Sequence, residues 1–231
     1  MMSVRRVIVL VAWVALAAVV ALHAYYATMI WWWRDHPPHE TAFMSERLAV
    51  LRNRNPHAAI EYRFVPYARI SVELKRAMIA AEDAKFVEHE GFDWDGIALA
   101  LEKNERRGRI VAGGSTISQQ LAKNLFLSGS RTWLRKGEEA VITVMLESVL
   151  DKRRIFELYL NVIEFGNGIF GAEAASEHYF HVPASRIDAV EAARLAAMAP
   201  NPRYYERHPN APGLRRKIGI ILARMPAADL P

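Results

Sequence analysis

The sequence predicts an all-α globular domain behind a single transmembrane helix. Three observations carry this reading. An uncharged run fills the N-terminal region, apolar residues recur at helical spacing through most of the remaining chain, and strand-like alternation is scarce.

The uncharged run extends from Val7 to Trp33 without an Asp, Glu, Lys or Arg. About 20 apolar residues suffice to cross a ~30 Å hydrocarbon core. Arg5 and Arg6 precede the run, and Tyr25, Tyr26, Trp31, Trp32 and Trp33 crowd its far end. Basic residues stay on the cytoplasmic side and aromatic rings settle at the interface. The expected order is a cytoplasmic N-terminus over 1–6, an anchor over 7–33, a membrane-proximal linker over 34–60 and an exported domain over 61–231. Small residues at Ala15–Ala17 and Ala21–Ala24 leave a cleaved signal peptide as the alternative. The run is longer than the 7–15 residues of a signal peptide's apolar region, which favours an uncleaved anchor.

Asp35-His36-Pro37-Pro38-His39-Glu40 reads as linker, and Ser45 to Arg54 as a short amphipathic helix near the membrane. Tyr62-Arg63-Phe64-Val65-Pro66 is at most a short extended piece ended by proline. Helical spacing then takes over. Leu74, Ala77, Met78 and Ala81 follow i, i+3, i+4, i+7, as do Val141, Val144, Met145 and Ser148, and Ile155, Leu158, Tyr159 and Val162. Ile187, Val190, Leu195 and Met198 suggest a further helix, and Ile218 to Met225 a last one, with prolines 200, 202, 209 and 212 breaking the chain before it. The basic stretch Lys103, Arg106, Arg107, Gly108 and Arg109 reads as a mobile loop.

The chain has no cysteine, so an exported domain must hold together without disulfides. Its net charge of +5 favours an anionic partner such as phospholipid headgroups, a diphosphate or an acidic polymer. Export disfavours nucleic acid.

Ala81-Glu82-Asp83-Ala84-Lys85-Phe86-Val87-Glu88-His89-Glu90-Gly91 places acids among apolar residues. On a helix from about Val72, Glu82 has Met78 and Ile79 one turn before it and Phe86 one turn after it. Burial would raise its pKa and make it a base near neutral pH. Asp83 fits almost as well, and periodicity does not choose between them. The bland alternative is a buried acid neutralised by Lys85, His89 or a distant arginine.

Gly113-Gly114-Ser115-Thr116 opens another helix, in which Thr116 and Gln119 have capping-box spacing. Ile117, Leu121 and Leu125 form its apolar stripe, with Thr116, Gln120, Lys123 and Asn124 on another side. A glycine-led helix start favours phosphate, and Lys123 adds a full charge. An ordinary capped amphipathic helix has the same pattern. Arg131, Arg135 and Lys136 come next, with Glu139 one turn after the last two; an ordinary surface ion pair is the alternative there.

Five blocks together resemble the peptidoglycan glycosyltransferases. They are Glu82-Asp83 with Phe86, His89 and Gly91; Gly114 to Gln120 with Lys123-Asn124; Arg135-Lys136 with Glu139; Lys152 to Asn161; and Leu195-Ala196-Ala197 running to Pro200-Asn201-Pro202. Ser118 departs mildly from the threonine commoner at its position.

The resemblance implies a lysozyme-like α-helical fold, with a smaller lobe against the membrane. It implies polymerisation of lipid II in the inner membrane, with the catalytic domain periplasmic. The short stretch after the fifth block implies the monofunctional form, without a transpeptidase domain. Glu82 is carried over as the general base and Glu139 as the second catalytic acid. Ser115, Thr116, Gln119, Gln120, Lys123, Asn124, Arg131, Arg135 and Lys136 are carried over as substrate-binding or site-shaping residues, whereas Tyr159 and Asn161 are read as structural. A divalent cation, Mg or Mn, at the diphosphate is the only cofactor implied, and no metal ligand is assigned. Implied partners are lipid II, the nascent glycan chain and inner-membrane lipids, with cell-wall synthesis or division proteins left open. A membrane-anchored lysozyme-like hydrolase and a non-catalytic scaffold are the rival readings. Against the hydrolase, the cations Lys123, Arg131, Arg135 and Lys136 suit a diphosphate and have no purpose in plain glycan hydrolysis; a scaffold would tolerate loss of Glu82 and Glu139 but depend on the anchor and surface.

Overall fold

The computed structural model describes residues 4–109, 113–127, 129 and 132–231. The apolar run is one continuous helix, α1 (Val4–Trp33). Its most apolar stretch has a mean hydropathy of 2.7 and none of it is buried by the rest of the chain. The C-terminal third behaves differently. Tyr26, Ile30 and Trp33 are buried, and the Tyr26 and Trp33 rings lie 4.7 and 5.1 Å from that of Phe126. Arg154 closes the helix end, donating through Nε to the Trp33 carbonyl at 2.8 Å and through Nη2 to the His36 carbonyl at 2.7 Å. Helix-terminal carbonyls lack partners within the helix, and a cation there also meets the negative end of the dipole.

α2 (Ala42–Arg52) starts at the cap Thr41. A short strand, β1 (Glu61–Tyr62), precedes α3 (Val72–Glu82), which Ser71 caps. α4 (Trp94–Arg107) comes after it, capped by Asp93 and closed by Gly108 at φ 59°. Next are α5 (Ile117–Phe126), α6 (Trp133–Val149) and α7 (Lys152–Val162). β2 (Glu164–Gly166) and β3 (Ile169–Phe170) form a tight pair. β3 lies in the middle of a three-stranded sheet, parallel to β1 and antiparallel to β2. α8 (Gly171–Phe180), α9 (Ala189–Met198), α10 (Pro202–Arg207) and α11 (Pro212–Arg224) complete the chain.

α5 is the hub of one half, packed against α2, α6 and α7. In the other half α3 packs on α9, and α11 covers both. The expected stripe of α7 holds, with Ile155, Leu158, Tyr159 and Val162 buried; in that of α3, Leu74, Ala77 and Met78 are buried and Ala81 is half-buried. Other expectations are corrected. The buried stripe of α6 is Glu139, Ile142, Thr143 and Leu146, while Val141 and Val144 are exposed. A polar acid displaces the apolar choice because Arg135 and Lys136 partner it. Val190 is likewise exposed. Lys103, Arg106 and Arg107 belong to α4 rather than to a loop. Pro202 and Pro212 open helices, since the first turn needs no proline N–H.

Asn161 ties the two halves of the chain. It is fully buried; its Oδ1 accepts the Val65 N–H at 2.9 Å and its Nδ2 donates to the Val65 carbonyl at 3.0 Å. It mimics a strand partner for a lone extended residue. Asn161→Ala strands both backbone groups and should cost about 2–3 kcal/mol. Thermal unfolding in detergent should show a clearly lowered Tm; an unchanged Tm would refute this role.

Candidate active site

The chain leaves α3 abruptly at Asp83, where φ is −162° and ψ is 78°. The expected helical neighbour Phe86 therefore lies beyond the helix end, buried through a turn instead. The Asp83 side chain explains the break. Its Oδ2 accepts the backbone N–H of Ile117 at 3.0 Å, and its Oδ1 lies 3.0 Å from His89 Nε2. Ile117 is the first residue of α5, so a carboxylate sits on the positive end of that helix. The Thr116–Gln119 capping box forms as expected and takes the N–H groups of both residues. Thr116 Oγ1 also donates to the Gly91 carbonyl at 2.7 Å. Gly91 holds φ at 90°, and a Cβ there would lie 2.8 Å from Thr143. The helix start expected to cradle a phosphate has thus committed the N–H groups of Thr116, Ile117 and Gln119 to the chain itself. Thr116 and Gln119 are buried in that cap.

This clamp separates the two acids that periodicity could not. Glu82, the last residue of α3, accepts a hydrogen bond at Oε2 from Gln120 Nε2 at 2.8 Å. Tyr159 donates its hydroxyl to Gln120 Oε1 at 3.2 Å, which orients the amide. Glu82 Oε1 is cut off from solvent and has no partner in the chain. Lys85 pairs with Asp95 and His89 faces Asp83, so neither neutralises Glu82. Burial pushes the Glu82 carboxyl up, while the Gln120 bond and the Lys217 and Lys123 charges pull it back.

A second acid lies across α5. Glu139 is 3% exposed and accepts from Arg135 Nη1 at 2.8 Å and from Lys136 Nζ. Lys136 Nζ also reaches Ser115 Oγ at 3.2 Å. Lys123 is half-buried; burial pulls its pKa down and the Glu139 charge opposes the shift. Asn124 donates to the Gln120 carbonyl at 2.7 Å. Ser115, Gln120, Lys123, Asn124, Arg135, Lys136 and Glu139 all line one cleft of about 380 Å³. Glu82 lines two smaller adjoining cavities of about 170 and 180 Å³, which share Pro200 and Ser115 with that cleft. Arg131, expected in the cation set, lies outside the described residues.

Three groups escaped the sequence reading. The Tyr159 hydroxyl had a usable signal, because a buried tyrosine needs a polar partner. Lys217 and Arg224 line the cavity beside Glu82, but they arrive on α11, far along the chain. Only packing brings them there.

A sequence profile of the transglycosylase family matches residues 50–226. The chain is 61% identical over 220 residues to the biosynthetic peptidoglycan transglycosylase of Chromobacterium violaceum, covering 94% of this chain and 96% of that protein. It is 62% identical over 203 residues to the protein of the same name from Dechloromonas aromatica, covering 88% and 87%. The corresponding protein of Methylobacillus flagellatus is 61% identical over 217 residues, covering 94% and 95%.

The raised pKa of Glu82 has a signed consequence for stability. A carboxyl raised in the folded state favours folding most below its unfolded pKa of about 4.3, and that contribution is lost as pH rises. Glu82→Gln removes the charge and keeps an acceptor for Gln120. Its Tm should equal or exceed that of wild type at pH 8, with the gap closing towards pH 4. Thermal unfolding of both proteins across this range is the check, and a lower Tm for the variant at pH 8 would contradict it.

Proposed function

The chain belongs to the transglycosylase family and is an enzyme of peptidoglycan synthesis, and on that premise we propose that it polymerises lipid II with Glu82 as the general base. One observation carries the proposal. A half-buried acid, Glu82, with one shielded and unpartnered oxygen, stands beside a cleft lined by Lys123, Arg135 and Lys136.

The acceptor is the 4-hydroxyl of the GlcNAc of lipid II. The donor is the glycan strand carried on a lipid diphosphate. The hydroxyl oxygen attacks the donor MurNAc anomeric carbon as its proton passes to Glu82 Oε1. The bond from that carbon to the diphosphate oxygen breaks, and the electron pair leaves with the diphosphate. Attack from the face opposite the leaving group inverts the centre and gives a β-1,4 link. Gln120 holds the other Glu82 oxygen and is itself held by Tyr159, so the base is oriented before substrate arrives.

The leaving group needs positive charge more than a proton. Lys123, Arg135 and Lys136 supply it, with Ser115 and Asn124 as polar neighbours. Arg131 is assigned to the same set from the sequence resemblance alone. Glu139 gathers Arg135 and Lys136 on its two oxygens. Its role is to hold those cations at the cleft where the diphosphate leaves. A divalent cation is implied by the resemblance, but the residues do not suit one held by the chain. Among the described residues no three His, Cys, Asp or Glu converge, and both Glu139 oxygens are engaged. No step here uses a metal.

α1 acts as a single-pass anchor of a bacterial peptidoglycan enzyme. Arg5 and Arg6 orient its N-terminus to the cytoplasm and the domain to the periplasmic face of the inner membrane. Lipid II, the nascent strand and membrane lipids are then the partners at hand.

Glu82→Gln should slow lipid II polymerisation by about 10²–10⁴-fold, the usual share of general-base catalysis. A folded variant within threefold of wild type would sink the mechanism. The pH profile of kcat/KM should be bell-shaped: Glu82 must lose its proton on the acid side, and Lys123 must keep its own on the alkaline side. Lys123→Arg should retain little activity, since a planar fork does not replace a compact ammonium. What remains should lack the alkaline fall, because guanidinium stays charged. A profile with the same alkaline limb in that variant would remove Lys123 from the site.

A further inference from the structure

A larger groove lies beside the cleft and has no part in the chemistry above. Its volume is about 610 Å³, and it runs between the outer side of α2 and α10. Its walls carry Arg47, Arg54, Arg203 and Arg207, opposed in the lining by the single carboxylate of Glu206. Glu206 is already engaged, since its Oε2 accepts the Asn167 N–H at 3.0 Å.

The arginines are arranged rather than scattered. Arg47 is only 8% exposed, and its Nε lies 2.9 Å from Glu164 Oε1. The other oxygen of Glu164 faces Arg203 Nε at 3.5 Å. One buried acid thus holds two guanidinium groups at the groove. Arg207 donates through Nε to the Arg203 carbonyl at 3.0 Å. The Arg54 and Arg207 guanidinium groups face no carboxylate among the described residues. Guanidinium forks of this kind match carboxylates two bonds at a time.

Arg203 links the groove to the cleft. It lines both this groove and the cleft with Lys123 and Glu139. A strand that left the cleft on this side would pass it next. The sugar backbone of such a strand offers hydroxyls and amides, which do not call for several arginines. The diphosphate is engaged in the cleft. The remaining anions on a peptidoglycan strand are the free carboxylates of its peptide branches. We propose that the groove binds the carboxylates of a peptide branch on the emerging strand, a proposal that rests on the polymerase reading above. The groove grips the product side of the reaction and keeps the strand engaged between additions.

Arg54 and Arg207 are the residues to change, because both lie away from the reacting groups. R54A/R207A should be compared with wild type on two lipid-linked disaccharide substrates, one with its peptide and one without. The variant should polymerise the peptide-bearing substrate at least about tenfold more slowly, since two guanidinium contacts are removed and even one charge-assisted contact is worth about tenfold. It should match wild type on the peptide-free substrate. Equal slowing on both, or no slowing on either, overturns the proposal.

Binding is read separately by calorimetry with a soluble disaccharide-peptide fragment. Wild type should bind it about tenfold more tightly than the variant. A fragment whose carboxylates are amidated should not bind. Succinate that binds as tightly as the fragment, or a fragment that binds wild type and variant alike, overturns the proposal. If wild type polymerises neither substrate, the polymerase reading falls by itself, and fragment binding that depends on Arg54 and Arg207 still supports the groove.

Discussion

The contact between the Asp83 carboxylate and the first N–H of α5 is the constraint on which the rest of the site depends. It satisfies an amide that the helix cannot satisfy, and it sets a negative charge against the positive helix end. It also ends α3 at the preceding residue, which leaves Glu82 at the helix terminus facing α5. Gln120 then meets Glu82 three residues into the neighbouring helix. Shielding a carboxyl oxygen without a partner is costly, and the Asp83 contact fixes the backbone that carries it. Two adjacent acids therefore do opposite work: one is consumed by the fold and the other is left free.

α5 transmits this arrangement to both ends of the molecule. Its first turn is held by Asp83, its middle carries Gln120 and Lys123, and its last residue, Phe126, packs among the rings of the anchor helix. Arg154 on α7 secures the end of that anchor. The same α7 presents Tyr159 to Gln120 one turn later. The cleft and the end of α1 thus share helices, an arrangement that the proposed lipid-linked substrate would need.

The charges obey one rule throughout. Buried acids are retained where a cation or a helix end meets them: Glu139 with Arg135 and Lys136, Glu164 with Arg47 and Arg203, Asp83 with α5. Such pairs contribute little net stability, because desolvation offsets their attraction. Their value here is positional: Glu139 and Glu164 each hold two cations at the wall of a cavity, and Asp83 fixes the start of α5. Glu82 is the exception, with a neutral partner on one oxygen and none on the other.

The sequence alone determined the helical class, the long apolar N-terminal helix, the capping box at Thr116 and the family, because these rest on local spacing and on motifs in fixed order. The buried faces of α3 and α7 were legible for the same reason. Local spacing misjudged α6, where Glu139 and Thr143 occupy core positions that an apolar count assigns to Val141 and Val144. It also left Glu82 and Asp83 equivalent, since adjacent residues near a helix end differ only in what lies opposite them. Tertiary structure gives the two different surroundings, bringing Ile117 to one and Gln120 to the other. Tertiary structure alone also brought Lys217 to Glu82 and joined Arg54, just past α2, with Arg207 on α10. Contacts between residues far apart in the chain depend on how helices pack, and no periodicity within a single helix encodes them.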